Sequence, residues 1–225
     1  MIFCDGRLRG TAIHVFTPLH NSLTSGSIIV TAAHVLYDQK TAKPFNKCVY
    51  RPENKRLTKV GFANISLHQF NPKSGDKLQQ AEDDIVFIRL KKILIQPTLT
   101  FRAGNAIGRE LLLIGYNSDE NNISQSEGCY QFRSHYFVSE KLLLHDCDAN
   151  SGASGGAVLD ALTGGLVGVH GGTLLVNKSQ SGGGGILKGS KSDPEMLINQ
   201  ARKIDHKVIE SLNQFSAYPS KNFQD

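Results

Sequence analysis

Ser154 stands in the stretch CDANSGASGGAVLD, residues 147–160, with Gly152, Gly155 and Gly156 around it. A serine hydroxyl is a weak nucleophile at neutral pH and needs an adjacent general base. His34, in IIVTAAHVL, has the right ordinary pKa, about 6.5, to take that proton and return it. Asp84, in EDDIVFIRL, could fix the imidazole tautomer and stabilise the imidazolium. Its neighbour Asp83 competes for that role, because adjacent strand residues face opposite ways. Gly152 would let the backbone aim its own N–H and that of Ser154 at a developing oxyanion. Taken together these groups could run acyl transfer. The competing reading makes the glycines a tight turn between strands and leaves Ser154 inert.

Such residues need a scaffold that brings distant segments together. GTAIHVFT, SIIVTA, KCVYRP, KVGFANISLHQF, DDIVFIRL and LLLIGY are short β-prone runs separated by Gly, Pro, Asn or Asp. GCYQFRSHYFVSE, KLLLHDCD, GGAVLD and GGLVGVHGG continue the pattern. Without strand–helix alternation, this predicts an all-β sandwich or barrel pair. SQSGGGGILKGS is a glycine-rich loop, and one helix is expected from residue 193 to 216. Asp193 would cap that helix and Pro194 would suit its first turn. Leu197, Ala201, Ile204, Val208, Leu212 and Phe215 would form its docking stripe.

Composition narrows the class. Of the 225 residues, 40% are apolar and 20% charged, as in ordinary globular proteins. The net charge is +5, but RLR, KR, RLKK and KGSK are scattered and not interleaved with aromatics, so no nucleic-acid partner is expected. No apolar run reaches the length of a membrane span, and MIFCDGRLRG does not read as a signal peptide. The four cysteines contain no CxxC pair, which disfavours zinc. No metal or cofactor is expected. Four cysteines allow three connectivities. Pairing neighbours within each half favours Cys4–Cys48 and Cys129–Cys147. Such bridges would suggest a secreted or periplasmic protein, whereas four reduced thiols would fit a cytosolic one.

GASGG also matches the G-x-S-x-G elbow of α/β-hydrolases, which place the acid and the histidine after the serine. Only 71 residues follow Ser154, and ALTGG looks like a strand-pair turn, so the elbow fails on order and on context. His34, Asp84, Ser154 is instead the order of chymotrypsin-like serine peptidases. TAAH resembles that family's histidine motif, DDIVFIRL its aspartate motif and GASGGAV its serine motif. HDCDANSGASGGAV and GLVGVHGG are similar to the bacterial glutamyl endopeptidases, the V8-like branch.

Over about residues 10 to 175, the resemblance implies two packed six-stranded antiparallel barrels, a cleft between them and a C-terminal helix. The expected division is residues 1–100, 101–178, a glycine-rich loop at 179–192 and the helix at 193–216. The resemblance implies a serine endopeptidase acting on polypeptide, and the family motif selects Asp84 over Asp83. For the substrate pocket it points to Asp148, Ala149, His170, Gly171 and Gly172. Asp148 would favour a basic side chain before the scissile bond, whereas His170 would favour an acidic one. The balance leans to an acidic or small residue, with Gly171 and Gly172 pairing with substrate backbone.

The pattern also departs from the family. Ala153 replaces the aspartate that answers a newly cut amine in trypsin-type zymogens, and Val35 follows His34 where a cysteine is usual. A monomer is expected. The alternative from another class is a catalytically silent binding protein on the same fold, which would have no need of all three side chains. A quality-control protease would want a peptide-binding module that the remaining residues cannot supply.

Overall fold

A computed structural model describes residues 1–17, 26–52, 59–104, 107–133, 139–177 and 195–217. The β-prone runs become strands. In the first half these are β1 (Ile2–Cys4), β2 (Arg7–Gly10), β3 (Ile13–His14), β4 (Ile28–Thr31), β5 (Tyr37–Asp38), β6 (Lys43–Pro44), β7 (Cys48–Tyr50), β8 (Val60–Ile65) and β9 (Val86–Leu90). Seven of them form one sheet in the order β2-β1-β7-β8-β9-β4-β3, while β5 and β6 pair separately. The second half contributes β10 (Glu110–Asn117), β11 (Asn122–Phe132), β12 (Leu142–His145), β13 (Ala157–Asp160), β14 (Leu166–Asn177) and β15 (Glu195–Lys203). These six close into a barrel in the order β10-β11-β12-β15-β14-β13. The expected pair of barrels is thus one closed barrel packed against a half-barrel sheet.

Each half has its own apolar core, built around Ile29, Ile88 and Leu90 in the first and Leu111, Leu143 and Val158 in the second. A third cluster joins them, with Ile13, Val30 and Phe87 against Leu159, Leu166 and Val169. Cys4–Cys48 staples the neighbouring strands β1 and β7 of the half-barrel, and Cys129–Cys147 ties β11 to the segment after β12. Both bridges follow the neighbour pairing expected from the sequence.

The C-terminal helix is shorter than expected. Residues 195–203 are β15, and the helix α2 spans His206–Ala217. Glu, Met, Leu, Gln, Ala, Arg and Lys are good helix formers, so local propensity favours a helix there. Pairing wins because β15 bonds to β12 on one side and β14 on the other. A helix would leave two strand edges of the barrel without partners. Asp205 accepts the Val208 N–H at 2.9 Å and starts α2, whose Val208 and Leu212 dock on the inter-half cluster. Asp193, Pro194 and the glycine-rich loop lie outside the described residues.

Candidate active site

His34 comes from a 3₁₀ turn, Ala33–Leu36, that follows β4 directly. The small residues Ala32 and Ala33, both fully buried, let this turn pack into the half-barrel. Asp84 comes from the opposite approach, between a short helix α1 (Lys77–Glu82) and β9. Asp76 caps α1 by accepting from the Gln79 N–H. The helix ends at Asp83, and Asp84 enters the interior at 3% exposure.

The Asp84 carboxylate holds His34 at two points. Oδ1 accepts the His34 backbone N–H at 2.8 Å, and Oδ2 lies 2.6 Å from Nδ1. Asp83 points elsewhere, bound to Gln79 Nε2 at 2.6 Å and 3.8 Å from Lys141 Nζ. Of the two aspartates, Asp84 is the one in contact with His34. Burial alone would lower the His34 pKa, but the charge and hydrogen bond of Asp84 outweigh it and the net shift is upward. The His34 side chain keeps 18% exposure against 4% for Asp84, so the ring reaches the cleft while the carboxylate is sealed.

Ser154 lines the same cleft as His34, Gly152 and His170. No hydrogen bond joins the His34 and Ser154 side chains; such bonds are often long in unliganded enzymes and tighten around substrate. The loop carrying Ser154 is pinned from the other half of the molecule. Thr11 N–H donates to Ser154 O at 2.7 Å, and Thr11 Oγ1 donates to Gly152 O at 2.9 Å. Thr31 Oγ1 in turn donates to Thr11 O at 2.6 Å. Among the described residues the N–H groups of Gly152 and Ser154 have no protein partner, which leaves them available to a ligand oxygen.

Two glycines here are required by geometry. Gly152 has φ +95°, and a Cβ on it would stand 2.6 Å from the Tyr116 ring. Gly155 has φ +83°, and a Cβ there would overlap Thr11 O and Thr31 Oγ1. Gly155→Ala is expected to cost at least about 2 kcal/mol, combining left-handed strain with overpacking against backbone. A drop in melting temperature of several degrees in calorimetry would check this.

The candidate pocket residues separate. His170 and Gly172 line the cleft with Ser154, and Ala149 lines it from the loop. Gly171 lines the adjoining hollow beside His34, together with Phe70 and Leu174. Asp148 is exposed and lines a different pocket behind the loop, shared with Glu120 and Tyr116. The two side chains with opposite implications are thus not in one place.

His170 also has a partner that sequence reasoning missed. His145 on β12 sits with Nε2 3.1 Å from His170 Nδ1, and both rings are almost fully buried. Burial lowers the His145 pKa to about 4. Burial, with repulsion from His145 and His34, lowers that of His170 to about 3. Both rings are therefore neutral at pH 7. The only hint in the sequence was a histidine closing an otherwise apolar strand, LLLH.

The fold and this cleft define a trypsin-like serine peptidase architecture. The trypsin-like peptidase domain family matches residues 19–169, and the chain belongs to that family. Among solved structures, a Glu endopeptidase is 17% identical with a TM-score of 0.61, covering 96% of this chain and 97% of its own. A thermostable serine protease, AL20, from an extremophilic microorganism is 14% identical with a TM-score of 0.63, covering 92% and 89%. Kallikrein-related peptidase 10 is 13% identical with a TM-score of 0.60, covering 95% and 92%. At such identities the likeness is one of fold. No curated protein sequence matches the chain.

Proposed function

We propose that the protein is a serine endopeptidase using His34, Asp84 and Ser154. The observation that carries this reading is the doubly anchored His34–Asp84 pair, opening into the cleft that Ser154 lines. Ser154 Oγ attacks the scissile carbonyl and gives its proton to His34 Nε2. The oxyanion is held by the Gly152 and Ser154 N–H groups. His34 then protonates the leaving amine as the C–N bond breaks, leaving an acyl-enzyme. Water repeats the sequence to release the acid and restore the serine. Asp84 keeps the proton of neutral His34 on Nδ1, so that Nε2 is the accepting atom.

The pocket is read as one for an acidic or small side chain before the scissile bond. Asp148 lies outside the cleft, whereas His170 is inside it. When His145 Nε2 donates to His170 Nδ1, the remaining His170 proton sits on Nε2, free to donate to a substrate carboxylate. The two disulfides support a secreted or periplasmic location, where such bonds persist.

A fluorophosphonate probe tests the reaction. Labelling that disappears in both Ser154→Ala and His34→Ala is expected; folded protein that stays unlabelled at neutral pH would leave the silent binding protein as the better reading. Peptide-library cleavage read by mass spectrometry then tests the pocket. Enrichment of Glu, Asp or Ala before the cut is expected, and enrichment of Arg or Lys would return Asp148 to consideration.

A further inference from the structure

The cleft has two flanks. On one side of Ser154 lie His170, Gly171 and Gly172, the flank assigned above to the acyl half of the substrate. On the other side lies β2, which turns into the Thr11 contact with the nucleophile loop. The approach is so close that a Cβ on Gly10 would stand 2.5 Å from Ser154 O. A peptide crossing Ser154 in an extended form must therefore lay its leaving half over β2. At about 3.3 Å per residue, the first three leaving-group residues reach about 10 Å beyond the scissile bond.

This wall is basic. Arg7 and Arg9 of β2 and Lys40 after β5 line the same cleft as His34 and Ser154. Its one carboxylate, Asp38, is already occupied, with Oδ1 accepting the N–H groups of Lys40 and Thr41 at 2.9 Å each. The Thr41 N–H and, more weakly, the charge of Arg9 hold the Asp38 carboxyl below its usual range, so Arg9 has this one carboxylate within electrostatic reach but no ion pair with it. Elsewhere Arg109 pairs with Asp160, Lys141 with Glu82 and Arg202 with Asp205. Among the described residues no side chain forms a salt bridge with Arg7, Arg9 or Lys40, and the Arg9 Nε is buried without a hydrogen-bond partner. Arg9 is also held in place, its guanidinium 3.9 Å from the centre of the Phe45 ring. A positioned cation spends less side-chain entropy when it meets a ligand.

We infer that this wall selects substrates carrying Asp or Glu within the first three residues after the scissile bond. This inference rests on the serine endopeptidase reading and on its assignment of the acyl flank. Each solvated charge pair contributes modestly, so two or three together should give about a tenfold preference in kcat/KM for three Glu over three Lys at low salt. Screening should bring that ratio close to unity at about 1 M NaCl.

The test uses peptides identical before the cut and carrying three Glu, three Gln or three Lys after it. A chromogenic substrate with no amino acid after the cut is run beside them. Arg7→Gln combined with Lys40→Gln should shrink the Glu-over-Lys ratio to about threefold. Loss of folded enzyme cannot move a ratio. The same peptides are also bound to the Ser154→Ala protein, where Kd reads the preference without turnover. Failure to cleave the chromogenic substrate would overturn the endopeptidase reading. Cleavage of it with a Glu-over-Lys ratio near one, in both kcat/KM and Kd, would overturn this inference alone.

Discussion

Ser154→Ala is expected to lower peptide hydrolysis by about a millionfold, while leaving the melting temperature within a few degrees of the parent. Removing one half-buried hydroxyl that bonds to no other side chain should disturb the fold little. The Ser154 carbonyl that accepts from Thr11 is backbone and survives the change. His34→Ala should cost about as much, and the double variant little more, because the two residues act as one unit. That non-additivity is the useful signal. Two independent contributors would multiply, giving a double variant far below either single one. Single-turnover kinetics with a chromogenic ester would measure all three. A Ser154→Ala protein retaining a tenth of the parent rate would remove Ser154 from the chemistry.

The residues of this cleft differ in how they could be read from the chain. TAAH and GASGG announce themselves because each motif is local: small residues around a histidine, glycines around a serine. The strands that hold them were visible for the same reason, as apolar runs between turn formers. Asp83 and Asp84 could not be separated by strand alternation, since neither proves to lie within a named strand. Asp83 ends α1 and Asp84 precedes β9, and their different partners are fixed by α1, which the β-rich pattern did not suggest. Thr11 was invisible because its role is entirely tertiary, linking Ser154 and Gly152 to a segment more than a hundred residues earlier.

β15 was misread for a sharper reason. The spacing of Leu197, Ala201, Ile204 and Val208 satisfies a helix, and the residue types favour one. The docking role expected of the stripe is served by its last four positions, Ile204 just before α2 and Val208, Leu212 and Phe215 within it. Ala201 instead sits in the barrel core beside Val158 and Val167. The need for a sixth strand is a property of the closed barrel, and no window of sequence carries it. Asp148 and His170 show the complementary case. Both motif positions are plausible pocket residues in the sequence, and only the folded path of the loop after Cys147 puts Asp148 on a different pocket while His170 lines the cleft with Ser154.

Asp84→Asn is the second large effect expected, a loss of about ten-thousandfold in kcat near neutral pH. The carboxylate accepts from both the backbone N–H and the Nδ1 side of His34, and an amide has one oxygen for two acceptor positions. Whichever site receives the NH₂ group loses a bond, and an NH₂ facing Nδ1 moves the His34 proton to Nε2, where it blocks acceptance from Ser154. The pH dependence separates this from simple misfolding. In the parent, kcat/KM should fall on the acid side with an apparent pKa above 6.5, because Asp84 holds His34 in the protonated form to higher pH. Without the carboxylate, the acid limb of whatever activity remains should move below the parent's. Stability carries the same sign. A histidine whose folded pKa is raised contributes stability that is fully present below its unfolded pKa, about 6.5, and is lost as pH rises through the folded value. The destabilisation caused by Asp84→Asn should therefore be larger at about pH 6 than at about pH 9, in urea unfolding at both values. A variant equally destabilised at both, with an unmoved acid limb, would mean that Asp84 does not control the charge on His34.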